Sequence, residues 1–126
     1  MKVGDTHVLE APEITRSTLA LYAGASGDHN PVHIDIDACR AVGIDDVFAH
    51  GMLSMAYLAG LLTSWLPQER IRSYGVRFAA ITPVHAEPTC SGTVTAIEDG
   101  IAYVDLRVTL TDGTDTLVGN AAVSLD

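Results

Sequence analysis

Apolar residues recur along this chain with a helical period up to Pro67 and with a period of two beyond it. In ITRSTLALYAGAS, Leu19, Tyr22 and Ala23 fall at three- and four-residue spacing behind Thr15, a suitable N-cap. The spacing predicts a helix over Ile14–Ser26 that stops near Gly24–Gly27, where glycine takes a left-handed conformation cheaply and Pro31 bars continuation. The segment HGMLSMAYLAGLLTSWL, His50–Leu66, is apolar on nearly every face, which predicts a helix surrounded by protein and closed by Pro67. At 17 residues, interrupted by Ser54, Tyr57, Thr63 and Ser64, it reads as a core helix without membrane insertion.

Past Pro67, Tyr74, Val76, Phe78 and Ala80 alternate, then Val94 and Ala96, then Ala102, Val104, Leu106, Val108 and Leu110. Asp99-Gly100 and Asp112-Gly113 supply turns between these runs, and LVGNAAVSL closes the series. The pattern predicts an α+β fold, a single domain over residues 1–126, with an antiparallel meander wrapped around one central hydrophobic helix. One sheet around one helix leaves a free edge and a partly uncovered face. A dimer is therefore expected, with two sheets side by side and a site at the interface.

Composition narrows the function. A chain of 126 residues, 48% hydrophobic and 18% charged, suits one ordered domain with its own core. A formal net charge of −9 argues against nucleic-acid binding, which needs a basic face to displace phosphate counterions. Arg70, Arg72 and Arg77 fall close together; they read either as a basic patch for a phosphate-bearing substrate or as a solvated strand end. The first residues show no apolar signal segment, and Cys39 and Cys90 lack paired spacing, so a cytoplasmic protein with reduced thiols is expected.

The chemistry concentrates in SGDHNPVHID, Ser26–Asp35. His29 and His33 have the spacing of two metal ligands on one helix face, but Pro31 between them removes the helix. In an extended chain they would stand roughly 13 Å apart, too far to share an ion, so no metal site is expected. Asn30-Pro31 instead matches the first two positions of a type I turn with His33 at its end. Such a turn brings Asp28 and His33 toward one pocket, while His29 and Val32 point elsewhere. A carboxylate and an imidazole together can donate and abstract protons near neutrality; the other reading is that Asp28 caps the turn and His33 is a satisfied buried group. His50-Gly51 opens the central helix, where unpaired backbone N–H groups and the helix dipole offer an oxyanion hole. Asp35 reads as a helix cap ahead of Ala38 and Cys39.

The runs YAGASGDHNPVHID, FAHGMLSMAYLAGLL and YGVRFAAITPV resemble the MaoC-like and (R)-specific enoyl-CoA hydratase family, and within it the catalytic beta subunits of (3R)-hydroxyacyl-acyl-carrier-protein dehydratases. The resemblance covers most of the chain from Ile14 onward. It implies the hotdog fold, a homodimer or a heterodimer with a related subunit, and reversible syn addition of water to trans-2-enoyl thioesters of coenzyme A or acyl carrier protein. Carried over by residue, it implies a catalytic Asp28 and His33, an orienting Asn30, and the Gly51 amide as the thioester-binding donor, with no metal or redox cofactor. Ser26, His50, Met52, Arg72 and Arg77 are candidate substrate contacts. Some (R)-hydratases carry a serine where this chain has Ala59, so that group is absent here. Two rival readings are a hotdog thioesterase and a non-catalytic partner subunit of a heterodimeric dehydratase.

Overall fold

Thr15 and Gly27 bound the first helix as the sequence predicts. In the computed structural model, which describes all of residues 1–126, α1 spans Arg16–Ser26. Its N-terminus is a reciprocal box: the Thr18 amide donates to Thr15 Oγ1 at 3.1 Å and the Thr15 amide to Thr18 Oγ1 at 3.2 Å. At the other end Gly27 takes a φ of 80°, and its N–H closes on the Ala23 carbonyl at 3.0 Å. A short helix α2, Ile36–Ala41, follows the loop and is capped by Asp35, which accepts from Asp37 and Ala38 amides. The central helix α3 spans Gly51–Trp65 and ends before Pro67.

Five strands form one antiparallel sheet: β1 Thr6–Glu10, β2 Ile71–Phe78, β3 Thr89–Glu98, β4 Ile101–Thr109 and β5 Asp115–Ser124, in the order β1-β3-β4-β5-β2. The expected meander holds for β3, β4 and β5, joined at Asp99-Gly100, where both residues have positive φ. It fails for β2, which pairs with β5 at the opposite side of the sheet from β1. Residues 79–88 carry the chain from β2 to β3, and with Pro83 and Pro88 among them they form a crossing segment rather than a hairpin. Ala80, read as the last position of the β2 alternation, lies in this crossing.

Period-two packing builds the main core. Val104, Leu106 and Val108 of β4 are buried and join Val94, Leu117 and Val123 against Leu58, Leu61 and Leu62 of α3. Each such side chain contributes about 1.5–3 kcal/mol by leaving water. A second cluster, with Ile14, Leu19, Cys39, Val47, Ala49 and Leu53, lies beneath α1 and α2. The loop bearing SGDHNPVHID joins those two helices.

The central helix is less enclosed than its composition predicts. Met52, Ala56 and Thr63, which share a face with Ala59 at four- and three-residue steps, are exposed. A single sheet covers only one side of a helix, so this stripe stays open on the isolated chain. No helix is long and apolar enough to cross a membrane.

Two glycines test this packing. A Cβ on Gly119 would run into the Gly75 carbonyl and the Val76 backbone, whereas one on Gly24, inside α1, meets nothing within 4 Å. Gly119→Ala should therefore lower the urea-unfolding free energy by about 2 kcal/mol, and Gly24→Ala should raise it by about 0.5 kcal/mol.

Candidate active site

The loop after α1 is shaped by a run of side-chain caps on its own backbone. Ser26 Oγ accepts from the Asp28 amide at 3.1 Å, Asp28 Oδ1 from the Asn30 amide at 3.2 Å, and Asn30 Oδ1 from the Val32 amide at 3.2 Å. The turn expected at Asn30-Pro31 is present as a single 3₁₀ turn, Pro31–His33, closed by the His33 amide on the Asn30 carbonyl at 3.1 Å. Short polar side chains bonding two residues ahead are what Ser, Asp and Asn do best, so the local sequence specifies this path. Asn30 meets Asp28 through its backbone N–H, while its side chain caps the turn.

The path brings Asp28 and His33 together. His33 Nε2 stands 3.8 Å from Asp28 Oδ2, with the histidine side chain 10% exposed and the aspartate 53%. That separation exceeds a hydrogen bond, so both atoms are free to address a third group. His33 Nδ1 lies 2.7 Å from the Phe48 carbonyl, an oxygen that only accepts, so Nδ1 carries the proton and Nε2 of the neutral ring offers its lone pair toward Asp28. His29 is exposed and turned back to the Gly27 carbonyl, and Val32 packs into the second core cluster, as expected.

His50 enters the same cluster from the other side. Its ring stacks on His33 with centroids 3.8 Å apart and planes inclined by 24°, and its Nε2–H donates to the Asp28 carbonyl at 3.1 Å. Tyr22 meets it edge-on at 4.7 Å. Asp28, His33 and His50 each bring a ligand atom within 4.8 Å of the others. Near-parallel rings aim their in-plane lone pairs side by side rather than at one point, so this trio does not suit an ion that needs convergent donors. Burial, followed by the neighbouring His33, pushes the His50 pKa below its ordinary value, against the Asp28 carbonyl, which favours the charged form.

The start of α3 supplies donors. His50 makes no side-chain cap, the Leu53 amide turns back to the His50 carbonyl, and the amides of Gly51 and Met52 have no partner within the chain. Beside them runs an apolar groove of about 520 Å³ lined by Phe48, Gly51, Met52, Phe78, Ile81 and Leu117, among others. It adjoins the Asp28–His33 pair through Phe48, whose ring meets His33 edge-on at 5.2 Å. The Phe78 ring lies against Gly51, where any Cβ would fall 2.8 Å from Phe78 Cε1. A side chain at position 51 would therefore require the exposed Phe78 ring to shift.

Ser26 and Met52 lie at this site, Ser26 as a shaper of the loop and Met52, 58% exposed, on the groove wall. Arg72 and Arg77 do not. Arg72 donates to the Glu69 carbonyl at 2.6 Å. Arg77 lines a separate hollow with Asp105, Arg107 and Asn120, because Tyr74, Val76 and Phe78 take the face of β2 toward α3. Sequence reasoning missed Phe48, whose carbonyl fixes the His33 tautomer. A backbone acceptor distant in sequence leaves no residue-type signal.

The geometry defines a single-sheet hotdog chain whose adjacent Asp28 and His33 sit beside unpaired helix-terminal amides and an apolar groove. Residues 3–114 match the MaoC like domain, and the chain belongs to that family. It is 30% identical over 116 residues to the (R)-specific enoyl-CoA hydratase of Rhodospirillum rubrum, a span covering 90% of this chain and 81% of that protein. The solved structure of the (R)-hydratase from A. caviae involved in PHA biosynthesis superposes with a TM-score of 0.89 at 27% identity, covering 100% of this chain and 98% of that one. A chain of the ChsH1-ChsH2 complex from Mycobacterium tuberculosis does so with a TM-score of 0.87 at 26% identity, covering 99% and 98%.

The depressed His50 pKa fixes a sign for stability. Between the folded pKa and the unfolded value near 6.5 the unfolded chain binds the extra proton, so the stability gained by burying neutral His50 is present above about pH 6.5 and lost as the pH falls below it. Melting temperatures measured from about pH 7.5 down to about pH 5.5 should fall more steeply for the wild type than for His50→Gln, which cannot titrate.

Proposed function

We propose that the chain catalyses reversible hydration of trans-2-enoyl thioesters to (3R)-hydroxyacyl thioesters, with Asp28 and His33 as one acid/base dyad and the Gly51 amide on the thioester oxygen. The observation that carries this reading is the pair itself: a carboxylate oxygen and an imidazole nitrogen 3.8 Å apart, the nitrogen's lone pair set by the Phe48 carbonyl. The hydratase names of its relatives support the reaction class.

In the dehydration direction a proton leaves C2, the C3–O bond breaks, and its hydroxyl departs with a proton as water. The dyad needs to carry only that one proton between C2 and the departing oxygen and is regenerated in each turnover. His33 Nε2 is suited to take the α-proton and Asp28 to hold the departing oxygen, with the two titrating as one unit. Negative charge grows on the thioester oxygen as the proton leaves, and the unpaired amide at the start of α3 stabilises it there. The apolar groove accommodates the acyl chain.

A second subunit is part of the proposal. The open face of α3 and the free edge of β2 are the surfaces that pairing would cover, and a heteromeric complex among the solved neighbours supports a related hotdog chain as the partner. A second copy of the chain is the other candidate for that place, and the thioester carrier is coenzyme A or acyl carrier protein.

Incubation with crotonyl-CoA tests the chemistry. The enoyl absorbance should fall without release of free thiol; thiol release would mean hydrolysis, and no reaction by the chain alone would favour the partner-subunit role. Asp28→Asn and His33→Ala should each lose about a hundredfold or more in kcat, and full activity in either variant would remove it from the dyad.

A further inference from the structure

We propose that His50 is a positioning residue that locks the Asp28 loop and the His33 ring to the start of α3. This rests on the hydratase reading for its activity readout but on geometry for its substance. One ring, 1% exposed, touches both halves of the dyad: its Nε2–H holds the Asp28 carbonyl at 3.1 Å, and its face lies against the His33 ring at 3.8 Å. The next residue is Gly51, whose amide is unpaired. A single side chain thus sets the spacing among the carboxylate, the imidazole and the amide donor, which belong to segments far apart in sequence.

Its own protonation is fixed. A carbonyl only accepts, so Nε2 carries the proton in the neutral ring, and Nδ1 is buried with no hydrogen-bond partner. A proton on Nδ1 would become a buried donor with nothing to receive it, set against the face of a second imidazole. The groups packed around the ring are His33, Tyr22 and Asp28, whose carbonyl accepts from Nε2; the Asp28 carboxylate lies close enough to favour a charge on the ring but makes no hydrogen bond to Nδ1, and burial outweighs its pull. The two histidines therefore divide the work: His33 exchanges protons, and His50 stays neutral and holds it in place. His50 is a support for the reaction, rather than the substrate contact that the sequence suggests.

Three variants separate the parts of this role. His50→Gln keeps an amide donor near the position of Nε2, His50→Phe keeps a ring without a donor, and His50→Ala keeps neither. With crotonyl-CoA, His50→Ala should lose about thirtyfold in kcat with KM changed less than about threefold, Gln should recover about tenfold of that loss, and Phe should recover less than Gln. A loss carried by KM, equal activity in all variants, or Phe exceeding Gln would overturn the proposal.

A readout without substrate keeps the inference apart from the hydratase assignment. Long-range proton–nitrogen NMR spectra of the imidazoles should show one sharp set of His33 ring signals in the wild type and a doubled or broadened set, from a ring no longer held in one place, in His50→Ala that is still folded by circular dichroism. An unchanged His33 spectrum in that variant overturns the positioning role whatever the activity. If the wild type is inactive on crotonyl-CoA but the spectra change as expected, the reaction assignment fails and the positioning role stands.

Discussion

Three hydrogen bonds hold the loop after α1 against the segment that precedes α3. His33 Nδ1–H donates to the Phe48 carbonyl at 2.7 Å, the Phe48 amide to the Val32 carbonyl at 3.2 Å, and His50 Nε2–H to the Asp28 carbonyl at 3.1 Å. Each is worth about 0.5–1.5 kcal/mol net, but a buried partner left unpaired would cost more than that. They do more than stabilise. They determine which nitrogen of His33 is free, where Asp28 stands and how far both lie from the amides that open α3.

The fold supplies a rigid base for that clamp. Leu58, Leu61 and Leu62 fix α3 on the sheet, and the Tyr74 hydroxyl donates to the Met55 carbonyl at 2.6 Å. The start of the helix is therefore anchored from its middle. Arg16 holds Asp46 through two charge-assisted bonds of 2.9 and 2.6 Å, tying α1 to the strand-like segment that leads into Phe48 and His50. Phe78, at the end of β2, then presses on Gly51 from the sheet side. Gly51 is itself exposed, and a side chain there would have to displace that ring.

Much of this was legible in the sequence because it is local. The caps at Thr15, Gly27 and Asp35, the Asn30-Pro31 turn and the alternation in β4 follow from neighbours a few residues apart. Strand β1 was not legible: in THVLE the half-buried positions are His7 and Leu9, while Val8 is 57% exposed, so the apolar pattern does not separate the two faces. His7 is covered by stacking on Trp65 at 5.2 Å, a contact across the fold. The place of β2 beside β5, the outward turn of Arg77 and the Phe48 carbonyl likewise depend on long-range pairing. His50 drew notice as the residue before a helix start, but only the stacked geometry shows what its ring does.

The central claim is that the Asp28 loop and the start of α3 together pass one proton between carbon and oxygen of an enoyl thioester. Hydration of crotonyl-CoA in deuterium oxide, followed by NMR of the product, tests it most directly. The account predicts a (3R)-3-hydroxybutyryl thioester carrying one deuterium at C2, delivered to the same face as the new hydroxyl. A free carboxylate with released thiol, or deuterium delivered to the opposite face, would contradict it.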